Sequence, residues 1–153
     1  SLRGTLAVRT RASGAAALEF AIVLPILLAM VIGIIYFGVV LALQQVLTLA
    51  AEEGARAALR YPAGAAANNA AATQALRVSA ASATALAILP ASIRNAISST
   101  NVAQAINCTN PSGAVCVKVT LNLPSVAILP VVPGVPMPTT LTGSATVQLA
   151  PDT

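Results

Sequence analysis

The sequence predicts an α+β protein: a long amino-terminal transmembrane helix that continues into an outer domain with a second helix and a small antiparallel β-sheet. Three observations carry this. Phe20 to Leu43 is a run of 24 residues without a charge, about 36 Å of helix against a hydrocarbon core of ~30 Å. Small and apolar residues then recur at three- and four-residue spacing as far as Ala58, which extends the helix beyond the span. Towards the carboxyl end the period changes to two in two separate runs, the signature of half-buried strands.

The flanks orient the span. Arg3, Arg9 and Arg11 precede it, and the first charges after it are Glu52 and Glu53. Basic residues stay on the cytoplasmic side, so the amino terminus is expected inside and everything after about residue 45 outside. A cleaved secretory signal is the alternative, but its apolar region is usually ~7–15 residues long, and Leu41-Ala42-Leu43-Gln44 is a poor cleavage site. Pro25 removes a backbone donor within the span and is expected to kink or loosen it. Gly33 and Gly38 permit close helix approach, though at a spacing of five.

Beyond Leu43 the residues Val46, Leu49, Ala50, Gly54, Ala57 and Ala58 form the expected packing face, with Glu52 and Arg56 placed for an i,i+4 ion pair. Tyr61-Pro62-Ala63-Gly64 ends the helix. A second helix is expected from Ala66 to Leu89, packing through Leu76, Ala80, Ala83 and Ala87. Ile93 to Ala105 reads as a short helix or turn. The two strands cover Val115–Leu123 and Leu141–Leu149, whose odd-numbered positions carry the core-facing residues. Between them Pro124 to Pro138 carries five prolines and should be extended; its Val131, Val132, Val135 and Met137 are expected to cover the edge of the core.

Cys108 and Cys116 flank the turn-forming stretch Asn110-Pro111-Ser112-Gly113. In an oxidising compartment the pair would form a disulfide worth about 2–3 kcal/mol, on the outer side of the sheet beside Lys118. In a reducing compartment both would be free thiols. Asn107-Cys108-Thr109 fits a glycosylation acceptor, a short and unspecific pattern.

Composition excludes most chemistry. The chain has 153 residues, 57% hydrophobic and 8% charged, with no His and four acidic side chains; its mean hydropathy is +0.85. Soluble domains carry about a quarter charged residues. Without imidazole and with few carboxylates there is no acid–base pair and no ligand set, and Lys118, on a strand, makes no dyad with Ser or Thr. No enzymatic activity, metal, cofactor or small-molecule substrate is expected. The net charge of +4 does not point to nucleic acid, because Arg56, Arg60, Arg77, Arg94 and Lys118 are scattered and there are few aromatics to stack bases.

The remaining signal lies at the entrance of the span. Glu19 is the only charge between Arg11 and Glu52. It either lies at headgroup depth and reaches water, or meets a cation inside a helical assembly. The order of a basic stretch, Gly14, four small or apolar residues, Glu19 and Phe20, leading into the hydrophobic helix, resembles the processing site of type IV pilin-like precursors in the short-leader form of the tight-adherence (Tad/Flp) pilus. The wider stretch is similar to TadE-like pseudopilins, or minor pilins. It includes Gly14-Ala15-Ala16-Ala17-Leu18-Glu19-Phe20, Pro25, Phe37-Gly38 and Glu53-Gly54-Ala55-Arg56.

The resemblance implies a structural, non-catalytic subunit for assembly of a bacterial adhesive pilus. Residues 1–14 would be a basic cytoplasmic leader, 15–60 the transmembrane and extended helix, and 61–153 a small extracytoplasmic α+β domain. A prepilin peptidase would cut between Gly14 and Ala15, leaving Glu19 fifth in the mature chain and a new ammonium on Ala15 as its charge partner. The implied partners are the lipid bilayer, other pilin or pseudopilin subunits, the peptidase and the pilus assembly machinery. The implied location is the bacterial inner membrane, crossed once, with later incorporation in an extracellular pilus. Phe20 departs from the tyrosine usual in major pilins, and the chain keeps over 90 residues beyond Arg60; both favour a minor subunit. The alternative is an uncleaved single-pass envelope protein whose outer domain binds a partner or surface polymer.

Overall fold

The computed structural model describes residues 10–60, 62–64 and 69–150, with side chains from residue 14 onward. The basic residues Arg3, Arg9 and Arg11, the helix-ending Tyr61 and the expected start of the second helix at Ala66 lie outside the residues or side chains so described. The chain contains helices α1 (Thr10–Leu59), α2 (Ala70–Ile88) and α3 (Ala91–Ala96). Strands β1 (Ala103–Asn107), β2 (Val115–Pro124) and β3 (Thr140–Gln148) form an antiparallel sheet in the order β1-β2-β3. This is the α+β layout expected. Two compact units divide at Val39/Val40.

The first unit, Ser1–Val39, is described through α1 alone. The helix continues through Pro25, and none of its side chains from Gly14 to Ile35 is buried. Leu, Ile, Val, Phe and Met side chains all stand exposed around it, as at Phe20 (64%) and Ile34 (69%). A helix apolar on every side belongs in an apolar environment, and this one is long and apolar enough to cross a membrane.

The second unit, Val40–Thr153, has a core. From α1 it takes Val40, Leu47, Ala50, Ala51, Ala55 and Ala58, all buried. This stripe replaces the face expected from periodicity: Leu49 is exposed, while Leu47 and Ala51 are completely covered. The sheet contributes Val117, Val119, Leu121, Leu123 and Leu141, the odd-numbered positions anticipated. Two glycines set how closely the layers approach. A Cβ on Gly54 would lie 2.7 Å from the Ala81 carbonyl oxygen and 2.8 Å from Ala85 Cβ, and one on Gly143 would collide with the α1 backbone at Leu47 and Thr48.

Helix α2 starts at Asn69, whose Oδ1 accepts a hydrogen bond from the Ala72 amide at 3.0 Å, an N-cap. It ends at Leu89, held extended by the following Pro90. Its buried stripe is Thr73, Arg77, Ala81 and Ala85, not the expected Leu76, Ala80, Ala83 and Ala87. Gly54 leaves room at the crossing only for a small side chain, so two alanines take that place and Leu76 is left partly exposed.

Strand β1 begins inside the stretch Ile93 to Ala105 expected to be helix or turn, and runs two residues past it. Its sequence Ala-Gln-Ala-Ile-Asn has weak strand propensity, and pairing with β2 supplies the structure, Ala103 opposite Val119 and Ile106 opposite Cys116. Ile106 points with Cys116 and Lys118 to the outer face and is partly exposed, which inverts the usual polarity of a half-buried strand. The turn to β2 is closed by the Cys108 amide donating to the Ala114 carbonyl at 2.9 Å, with Gly113 at φ 93, a value that favours glycine. Within the proline-rich connection Leu129 is buried, Val132, Val135 and Met137 are half-buried, and Val131 is exposed (71%). Val131 therefore does not cover the core, as it was expected to.

Candidate assembly site

The motif residues occupy the first described turns of α1. Gly14, Ala15, Glu19 and Phe20 are all exposed, and nothing lies within 4 Å of where a Gly14 Cβ would be. Ala15 and Glu19 stand four residues apart, one turn and about 6 Å of rise, on one face of the helix. Ala15 and Glu19 are thus brought together, and the Gly14–Ala15 bond lies within α1. Glu19 is the sole charged residue from Gly14 to Ala51 and the sole polar side chain from Gly14 to Ile35.

At the far end of this exposed segment, Tyr36 is buried while its neighbour Phe37 is partly exposed, the two rings edge to face at 6.0 Å and 87°. The Tyr36 hydroxyl has no hydrogen-bond partner among the described residues.

The outer end of α1 carries the stretch Glu53-Gly54-Ala55-Arg56. Arg56 Nη1 donates to Glu53 Oε1 at 2.7 Å, an i,i+3 pair with both side chains exposed. The partner expected for Arg56 was Glu52; the structure pairs it with Glu53 instead, since either acid is within a turn and both stand in solvent, where such pairs are weak. Gly54 and Ala55 are buried, and Gly54 forms the contact with Ala81 and Ala85 of α2. That Gly54 admits the neighbouring helix was legible only as one small residue among several; the glycine itself was the signal.

Cys108 and Cys116 are joined by a disulfide with Cα atoms 5.2 Å apart, bracing the β1–β2 turn from the outer side of the sheet. Among the described residues no group of three or more His, Cys, Asp or Glu could hold a metal ion. The site as a whole offers one carboxylate and a large apolar surface: it can be packed against.

Residues 14–56 match the family model of TadE-like protein, from the glycine of the motif, through the apolar helix, to the arginine of the Glu53–Arg56 pair. This is a structural, pilus-related family, and it is to this segment that the similarity extends. No curated protein and no solved structure matches the chain.

Proposed function

We propose that this chain is a structural, non-catalytic minor pilin or pseudopilin for assembly of a bacterial Tad-type adhesive pilus, held in the inner membrane by α1 with its amino terminus cytoplasmic. The observation that carries this reading is the TadE-like match beginning at Gly14, on a helix whose apolar side chains are uncovered from Gly14 to Ile35 and whose sole charge in that stretch is Glu19. The chain would be the substrate of a prepilin peptidase. Cleavage of the Gly14–Ala15 amide would remove Arg3, Arg9 and Arg11 and create an ammonium on Ala15. In an assembly of helices that ammonium would meet Glu19, of the same chain or of a neighbour shifted along the axis, in a charge-assisted hydrogen bond. Removing one partner of such a pair in an apolar setting costs about 3–5 kcal/mol, so the pair would favour docking in one register.

The test is intact mass and amino-terminal sequencing of the protein recovered from its native membrane. An amino terminus at Ala15 is expected. A chain that retains Arg3 to Arg11 would instead be an uncleaved envelope protein. If processing occurs, Glu19→Ala should insert normally but enter sheared fibres about tenfold less or lower still, and equal incorporation would sink the charge pair.

A further inference from the structure

We propose that the proline-rich connection between β2 and β3 is a second membrane contact, through which Val126 and Val131 enter the acyl boundary of the leaflet where α1 emerges. The inference rests on the reading of α1 as a membrane span.

The second unit by itself places the connection along α1. Gly143 of β3 lies against the α1 backbone at Leu47 and Thr48, whereas Gly54, farther out along α1, meets Ala81 and Ala85 of α2. Leu149 and Ala150, beyond the other end of β3, line a cavity with Ala70 and Gln74 in the first turns of α2. Followed forward, β3 therefore leads from Leu47 past the level of Gly54 towards the start of α2, away from the apolar run. Its beginning faces the other way. Gly143 back to Thr140 is about 10 Å of strand, and Leu47 back to Val40 is about 10 Å of helix. Val40 is buried, and the connection leaves the sheet at its level. Counted from Phe20, about 20 helical residues fill a hydrocarbon core of ~30 Å, which sets the outer boundary of that core close to Val40 as well.

The connection is held in shape. The Ser125 amide and hydroxyl both donate to the Thr139 carbonyl, at 3.1 and 3.2 Å, and the Leu129 amide donates to the Ser125 carbonyl at 2.8 Å. These bonds pin the neck, and Leu129, buried, anchors the loop inward. A second turn follows, closed by the Val135 amide on the Val132 carbonyl with Gly134 at φ 83. Outside α1, Val126 (68%) and Val131 (71%) are the most exposed large apolar side chains among the described residues, as open as Phe20 and Ile34 on the span.

The chemistry of this loop matches a lipid boundary. No charged residue lies between Lys118 and Asp152, so no ionised side chain opposes entry. The five prolines from Pro124 to Pro138 have no N–H, which leaves fewer backbone donors to satisfy where water is scarce. Interfacial segments bury their apolar side chains about 5–10 Å into the boundary of headgroups and acyl chains. The exposed valines continue the apolar surface that α1 presents below them, and lipid is the occupant that both would share.

The test is electron paramagnetic resonance of single-cysteine variants of the full chain, with Cys108–Cys116 intact, spin-labelled in vesicles of phosphatidylethanolamine and phosphatidylglycerol. Collision with oxygen reports lipid, and collision with a water-soluble nickel chelate reports water. Ile34→Cys is the reference within the span. Ser144→Cys, exposed on the outer face of the sheet, is the reference in water. Val126→Cys and Val131→Cys should show nickel accessibility about tenfold or more below that of Ser144→Cys, with oxygen accessibility at least as high. Adding Val126→Asp to Val131→Cys should raise its nickel accessibility about tenfold, because a carboxylate is rejected at that depth. Valine positions as open to nickel as Ser144→Cys, with Ile34→Cys protected, would overturn the proposal and leave the span standing. Nickel access at Ile34→Cys would overturn both. Protection that disappears as the protein is diluted in lipid would assign the valines to a second copy of the chain and overturn the proposal too, as would protection that survives Val126→Asp.

Discussion

The two halves of α1 share one helix and much the same residue types, yet they solve different problems. From Gly14 to Ile35 no side chain is buried and large apolar residues point in every direction. From Val40 to Leu59 one stripe is buried, and past Leu47 it is built of Ala50, Ala51, Gly54, Ala55 and Ala58. The first half is selected for area presented to an apolar surround, for which any bulky side chain serves. The second is selected for distance of approach, for which only small ones do. Total hydrophobicity does not distinguish the two requirements; side-chain volume does.

The sharpest way to break this contrast is at the closest contact. Gly143→Val would drive a branched side chain into the α1 backbone at Leu47 and Thr48, and should destabilise the outer unit by about 3 kcal/mol, read as a lowered midpoint of thermal unfolding in detergent. One substitution made in both halves sharpens it further. Gly54→Ala should cost about 2 kcal/mol, since its Cβ would lie 2.7 Å from the Ala81 carbonyl oxygen. Gly38→Ala, where nothing lies within 4 Å, should be neutral or stabilise by up to about 1 kcal/mol through helix propensity. Equal effects at the two glycines would remove the distinction. Asn69→Ala, which deletes the α2 cap, should cost about 1 kcal/mol by the same measurement. Smallest of all, Arg56→Ala should change stability by a few tenths of a kcal/mol, because its pair with Glu53 is exposed.

What the sequence made legible follows the same line. The span, its continuation to Leu59 and the strands at Val115 and Thr140 are written in long runs of strong period. The turn before Cys116 is written in Asn, Pro and Gly. Strand β1 was not legible, because Ala103–Asn107 has little propensity of its own and is a strand only because β2 lies beside it. The packing face of α2 was not legible either: when most positions are Ala or Ser, periodicity cannot choose among stripes, and the choice falls to Gly54 on another helix. In the motif, the residue types Gly14 and Glu19 were read from the order of the chain, and the structure adds that both are uncovered.

Sixteen large apolar side chains between Leu18 and Leu41 are exposed in this chain. Placed in water at roughly 1.5 kcal/mol each, they would cost on the order of 25 kcal/mol, a preference of roughly seventeen powers of ten for an apolar host. For such a helix in a bilayer, free diffusion out would therefore not be an available route. Any departure would be a handover, in which another apolar surface closes over the helix as the lipid lets go, so the rate of leaving would be set by the receiver and not by the membrane.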